Sequence, residues 1–189
     1  MSEVKFGNPA IPGIMAMAVL TFLFNVSNAG IMVPASMFSA TPFALLYGGI
    51  VAMVSGFLCL KTGDSLHAVV LTGWGGFFMG FGFMTYTVSW GVIPKPLVGE
   101  AMLVALVGWT IFALVLLMLY IKTKSKIGIT IYLLLALFLI LLTIGGFTQN
   151  ASISHLGGYV GIITSFVIWY AVYELVLAEL KAHAAAAKQ

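Results

Sequence analysis

Ile131-Tyr132-Leu133-Leu134-Leu135-Ala136-Leu137-Phe138-Leu139-Ile140-Leu141-Leu142 is the stretch whose reading decides the fold. It is apolar without interruption, whereas a transmembrane β-strand alternates lipid-facing and lumen-facing residues over about ten positions. Extended on both sides it becomes Ile127–Phe147, and about 20 apolar residues wound as a helix cross the hydrocarbon of a bilayer. Five similar runs accompany it: Ile11–Val33, Thr41–Leu60, Leu66–Trp90, Leu97–Ile121 and Ile153–Leu177. Polar, glycine and proline clusters separate them, at Ser36 to Pro42, Lys61-Thr62-Gly63-Asp64, Pro94-Lys95-Pro96, Lys122 to Lys126 and Gln149 to Ser152. The pattern predicts an all-α integral membrane protein, a six-transmembrane-helix bundle.

Composition agrees. Of 189 residues, 62% are hydrophobic and 7% charged, with a mean hydropathy of +1.15, against about 25% charged in soluble domains. So few charges cannot cover a water-soluble surface, and an uncovered apolar exterior aggregates. A soluble enzyme is excluded, as is a disordered chain, which needs low hydrophobicity and high charge. All eight cations are Lys, set in short segments between greasy runs. Nucleic-acid binders instead gather basic residues on one face, so no nucleic-acid partner is expected. The single cysteine, Cys59, has no disulfide partner and no metal-ligand spacing. Glu3 and Lys5 precede a long apolar run with no short signal core and cleavage site, so the first segment is expected to stay in the membrane.

The lysines orient the bundle. With a cytoplasmic N-terminus, that side collects Lys5, Lys61, Lys122, Lys124, Lys126, Lys181 and Lys188, and the far side receives Lys95 alone. The positive-inside rule then puts both termini in the cytoplasm. Trp90 falls near an outer boundary and Tyr120 and Tyr173 near inner ones, where amphipathic rings prefer to sit. The expected division is a cytoplasmic segment over residues 1–10, a transmembrane domain over 11–177 and a cytoplasmic tail over 178–189. Short tails fit a multi-pass protein of a prokaryotic cell membrane.

Enzyme motifs are missing: no phosphate-binding glycine loop, no glycine-flanked nucleophilic serine, and no ligand pair among His67, His155 and His183. No catalytic residue, cofactor or metal is expected. Glu100 and Glu174 sit near opposite membrane boundaries, not at mid-membrane, where a buried charge marks a proton relay or voltage sensor. Neutral groups carry more information. Asn25 and Asn28 fall inside the first run, and Gln149, Asn150, Ser152 and His155 cluster around the start of the sixth. Amides at membrane depth must find partners, either as hydrogen-bonding glue between helices or along a wet path. Asn150 precedes a helix start, and Asn8-Pro9-Ala10-Ile11-Pro12-Gly13 opens the first run. Both read as simple helix starts or as N–H groups offered to an anion. The spacings Gly76 to Gly80 and Gly157 to Gly161 predict closely packed helices and hence a narrow conduit for a small solute. A leucine of the fifth run would serve as a hydrophobic constriction.

In order along the chain, Asn8-Pro9-Ala10, Asn25-Val26-Ser27-Asn28-Ala29-Gly30, Tyr47-Gly48-Gly49, Thr72-Gly73-Trp74-Gly75, Ile144-Gly145, Asn150-Ala151 and His155-Leu156-Gly157-Gly158-Tyr159 resemble the acetate uptake transporter family, also called succinate–acetate transporters. The first is an altered form of the family's Asn-Pro-Ala-Pro-Leu-Gly signature, with the second proline displaced to Pro12. The resemblance implies a six-helix protomer in a homo-hexameric ring, each protomer with its own path for acetate or a related short carboxylate such as succinate. It also implies a constriction made in the family by a Phe, a Tyr and a Leu, positions that fall at Met17, Trp74 and Leu135 here. Leu135 keeps the pattern; Met17 and Trp74 depart from it. The candidate substrate-contacting residues are then Asn8, Asn25, Asn28, Tyr47, Gln149, Asn150 and His155, with the lipid bilayer as the surrounding partner. A pore for formate, ammonia or another small solute, and a membrane scaffold or sensor, are the alternative readings.

Overall fold

The computed structural model describes residues 7–32, 37–92 and 95–187, the side chains of 37–39 and 95–98 excepted. Glu3, Lys5, Lys188, Val33, Ser36 and Pro94, all used in the sequence reading, lie outside the described residues, as does the side chain of Lys95. The elements are α1 (Ala10–Asn28), α2 (Met37–Phe43), a π-helical segment (Ala44–Val51), α3 (Ala52–Lys61), α4 (Ser65–Ser89), α5 (Lys95–Thr123), α6 (Lys126–Phe147) and α7 (Ala151–Ala186). The π segment continues without a break into α3, and the described chain holds six helices long and apolar enough to cross a membrane. The protein is an all-α, multi-pass membrane protein.

Three boundaries differ from those expected. The helix leading into the second span starts at Met37, ahead of Thr41, so the expected separator from Ser36 to Pro42 is largely helical and Pro42 lies inside α2. α1 stops at Asn28, short of Val33: Ala29 N–H closes on Asn25 O at 2.8 Å, and Gly30 then turns left-handed at φ +70°, the usual glycine stop. α7 runs past Leu177 to Ala186. Nothing in that stretch breaks a helix: alanine is the best helix former, and Ala184, Ala185 and Ala186 extend the last turns beyond His183. Part of the expected tail is therefore helix. The π segment follows Pro42, whose missing N–H and bulky ring disturb the α-helical ladder at that point.

Neighbouring helices are laid side by side in the order α5, α6, α7, α1, then the second span, then α4. α4 and α5 close the sequence lightly at the backbone level, held by rings instead. Trp74 stacks on Trp109 with centroids 5.6 Å apart, Phe77 meets Trp109 at 5.0 Å, and Phe112 lies over Gly73. The glycine motifs are mainly packing devices. A Cβ at Gly48 would meet Leu20 at 2.7 Å, one at Gly75 the Met53 N at 2.9 Å, and ones at Gly158 and Gly161 would overlap α1. Gly76 and Gly80 correct the expectation, since nothing lies within 4 Å of a Cβ at either. That pair faces away from the rest of the chain, and Gly73, Gly75 and Gly82 make the tight contacts of α4.

Candidate transport path

Two cavities lie inside the chain, end to end along the bundle. One, of about 520 Å³, opens at the end where α1 stops and α5 and α7 begin. The other, of about 410 Å³, lies at the end that carries Lys61, Lys122 and Lys126. We call them the far cavity and the lysine-end cavity. One face of α1 serves both: Ile14 and Met17 line the lysine-end cavity, and Thr21, Asn25 and Asn28 the far cavity. Three- and four-residue spacings put these side chains in one row. α6 does the same, with Ile131 and Tyr132 in the lysine-end cavity and Leu135, Phe138 and Leu139 in the far one.

The three residues that the family resemblance singles out lie where the two cavities approach each other. Met17 borders one cavity, Trp74 and Leu135 the other, and their exposures are 3%, 3% and 1%. Tyr132 completes the partition, and its hydroxyl accepts a hydrogen bond from Trp74 Nε1 at 3.3 Å. Trp74 is fixed by rings on several sides: Phe77, Phe78, Trp109 and Phe112 all lie within 6.4 Å of it, centroid to centroid. Beneath Tyr132 the ring of Tyr120 stacks at 4.9 Å and 15°, seated over Gly128, where a Cβ would collide with it. Sequence reasoning passed over Tyr132 because it lies inside the greasy run of α6; its position three residues before Leu135, on the same helix face, was the available signal.

The amides divide into two groups. Asn25 Nδ2 donates to Thr21 O at 2.8 Å, and Asn28 Nδ2 donates to Asn25 Oδ1 at 3.3 Å. These bonds run along α1, and both residues line the far cavity with Gln149 and Glu100. Gln149 reaches it through a left-handed backbone, φ +51°. Gln149 N–H to Gly146 O at 3.2 Å and Asn150 N–H to Gly145 O at 2.9 Å make a Schellman ending for α6. Asn150 caps α7, its Oδ1 accepting from Ser152 N–H at 3.0 Å and Ile153 N–H at 3.4 Å. The helix-start donors are thus engaged within the chain, and Asn150 lines neither cavity described. Asn8 behaves alike: its Oδ1 accepts from Ala10 N–H at 2.9 Å, while its own N–H donates to Glu179 Oε1 of α7 at 2.5 Å. Tyr47, half-buried against the core from the π segment, and His155, whose ring lies over Gly30, are likewise away from both cavities.

At the lysine end the cavity wall holds His67 and Glu174. Asp64 caps α4 by accepting from His67 N–H at 3.1 Å and also pairs with His67 Nδ1 at 2.7 Å. The three-residue spacing from Asp64 to His67 in the sequence is what lets one carboxylate do both. Among the described residues, no group of three or more His, Cys, Asp or Glu could hold a metal ion.

The fold and these cavities define a class: helical membrane proteins with a solute-sized space inside the single chain. The chain belongs to the GPR1/FUN34/yaaH family, whose family model matches residues 1–187. It is 29% identical over 177 residues to ammonia transport outward protein 2 of Saccharomyces cerevisiae, covering 89% of this chain and 61% of the relative. With the succinate-acetate/proton symporter SatP of Escherichia coli it shares 28% identity over 163 residues, 86% of this chain and 85% of that one. The structure of the bacterial acetate channel SatP superposes with a TM-score of 0.86 at 26% identity, covering 93% of this chain and 95% of the other. The chain spans about three fifths of the length of the yeast relatives it matches, 61–62%.

Proposed function

We propose that the protein carries acetate and related short-chain carboxylates, succinate among them, across a cell membrane through a path within each protomer. The observation that supports this most is the partition itself: two cavities on one axis, divided by Met17, Trp74 and Leu135. Acetate joins an anionic head to a methyl group, so its path needs donors and a greasy passage. Asn25, Asn28 and Gln149 supply amide donors in the far cavity, and the three constriction residues supply the apolar passage, which also disfavours hydrated inorganic ions by dewetting. The names of the bacterial relative and of the superposed channel point to the same solute. Both termini face the cytoplasm in this reading, on the strength of the lysine distribution, so the lysine-end cavity is the inner one. Six copies form a ring, as the family resemblance implies.

Labelled acetate uptake into proteoliposomes tests the proposal. Uptake well above that of empty liposomes, competed by unlabelled acetate, is the expected result; uptake at the empty-liposome level contradicts it. A second reading, small nitrogenous cargo, is favoured by the name of the yeast relative and by the aromatic walls and single carboxylate, Glu100, of the far cavity. Competition by ammonium in preference to acetate would select it.

A further inference from the structure

The partition contains two polar groups that the apolar constriction does not account for. Trp74 Nε1–H and the Tyr132 hydroxyl meet at 3.3 Å, on residues 3% and 2% exposed, at the junction of the two cavities. Indole N–H is a donor only, and a phenol both donates and accepts. With the indole bonded to its oxygen, Tyr132 keeps its own O–H proton to give. The pair therefore holds one free donor at the partition, the Tyr132 O–H, and a second, the indole N–H, that a stronger acceptor than the phenol oxygen can take over, and no lysine lines either cavity among the described residues. An ionised carboxylate is acceptor-only and can take one donor on each oxygen. While the path is empty, the bond between the two rings spares the indole the cost of a buried unpaired donor.

Both rings are held in place. Trp74 is packed by Phe77, Phe78, Trp109 and Phe112, and Tyr132 is stacked on Tyr120. Their polar atoms are held at a fixed place, which a donor on a free rotor would not be.

We propose that Tyr132 is a specificity-determining residue of the path: together with Trp74 Nε1–H, its hydroxyl grips the carboxylate as it crosses from one cavity to the other. The inference rests on the carboxylate reading given above. It explains how an oily throat can still prefer an acid over a neutral molecule of the same shape. A site built to hydrogen-bond a polar group discriminates strongly against analogues that mismatch it, and acetamide is such an analogue, with an amide NH₂ where acetate has an oxygen.

The test compares acetate and acetamide flux in proteoliposomes carrying wild type, Tyr132→Phe, Trp74→Phe or Trp74→Tyr. The phenylalanine variants keep a ring and lose one donor; Trp74→Tyr keeps a donor. Loss of one donor should raise the acetate KM about tenfold, one factor of ten in binding, and shift acetate well beyond any change in acetamide, whose flux reports the altered width in Trp74→Phe. Trp74→Tyr should stay closer to wild type than Trp74→Phe. An acetate KM unchanged in both phenylalanine variants overturns the inference while leaving acetate transport standing. Parallel changes for acetate and acetamide also overturn it, because they report pore width alone. If Tyr132→Phe cannot be recovered folded, the Trp74 variants decide by the same criteria. Wild type without acetate uptake overturns the transport reading and this inference with it.

Discussion

The carboxamide of Asn25 rests directly on Gly161: a Cβ built at that glycine would overlap the amide atoms. The contact ties the far-cavity face of α1 to α7 and fixes which way the amide points. Gly161→Ala should force Asn25 out of place and lower stability by about 1–3 kcal/mol, the usual scale of overpacking. Thermal unfolding in detergent checks the stability, and acetate affinity of the folded fraction checks the displaced amide.

Leu135 is nearly without exposure and stands at the partition. Leu135→Ala should widen the passage and admit carboxylates larger than acetate, while costing about 2–5 kcal/mol of stability through the cavity it leaves. Competition of acetate uptake by a series of longer acids checks the first effect. An unchanged substrate range removes Leu135 from the gate.

Gln149 holds a left-handed backbone at φ +51° beside the far cavity. That conformation costs a residue with a Cβ roughly 1–2 kcal/mol and glycine much less. Gln149→Gly should therefore raise stability while weakening acetate uptake by removing an amide from the lining. A rise in the unfolding midpoint together with a higher KM is the expected pair of results.

Gly128 lies under the ring of Tyr120, one helical turn before Tyr132. Gly128→Ala should push Tyr120 aside and unseat Tyr132. Acetate uptake should fall, and the far-cavity residues should be unaffected. Near-ultraviolet circular dichroism of the tyrosines, read beside uptake, checks this.

The spans were legible because hydropathy over 20 residues is a strong, local signal. Their ends were less so: Gly30 ends α1 through its backbone, a feature that a window of apolar residues does not register, and the alanines after His183 carry α7 outward. Met17, Trp74 and Leu135 enter the account through the family resemblance alone, since nothing in their own chemistry separates them from other core residues. Asn150 and Asn8 show the opposite failure. Each was a good candidate for an anion site by its place at a helix start, yet the chain answers its own donors, with the Asn150 side chain in one case and Glu179 in the other. Gly76 and Gly80 carried the right spacing but on the outward face, and spacing alone does not say which way a helix is turned. Tyr132 was hidden by the greasy run around it.

The central claim is that solute passes between Met17, Trp74 and Leu135 within one protomer. Its most direct test is acetate flux through Met17→Cys, in a Cys59→Ser background, before and after reaction with a small charged methanethiosulfonate. The account predicts that flux falls to the empty-liposome level once mass spectrometry shows the thiol modified. Undiminished flux through fully modified protein would contradict it.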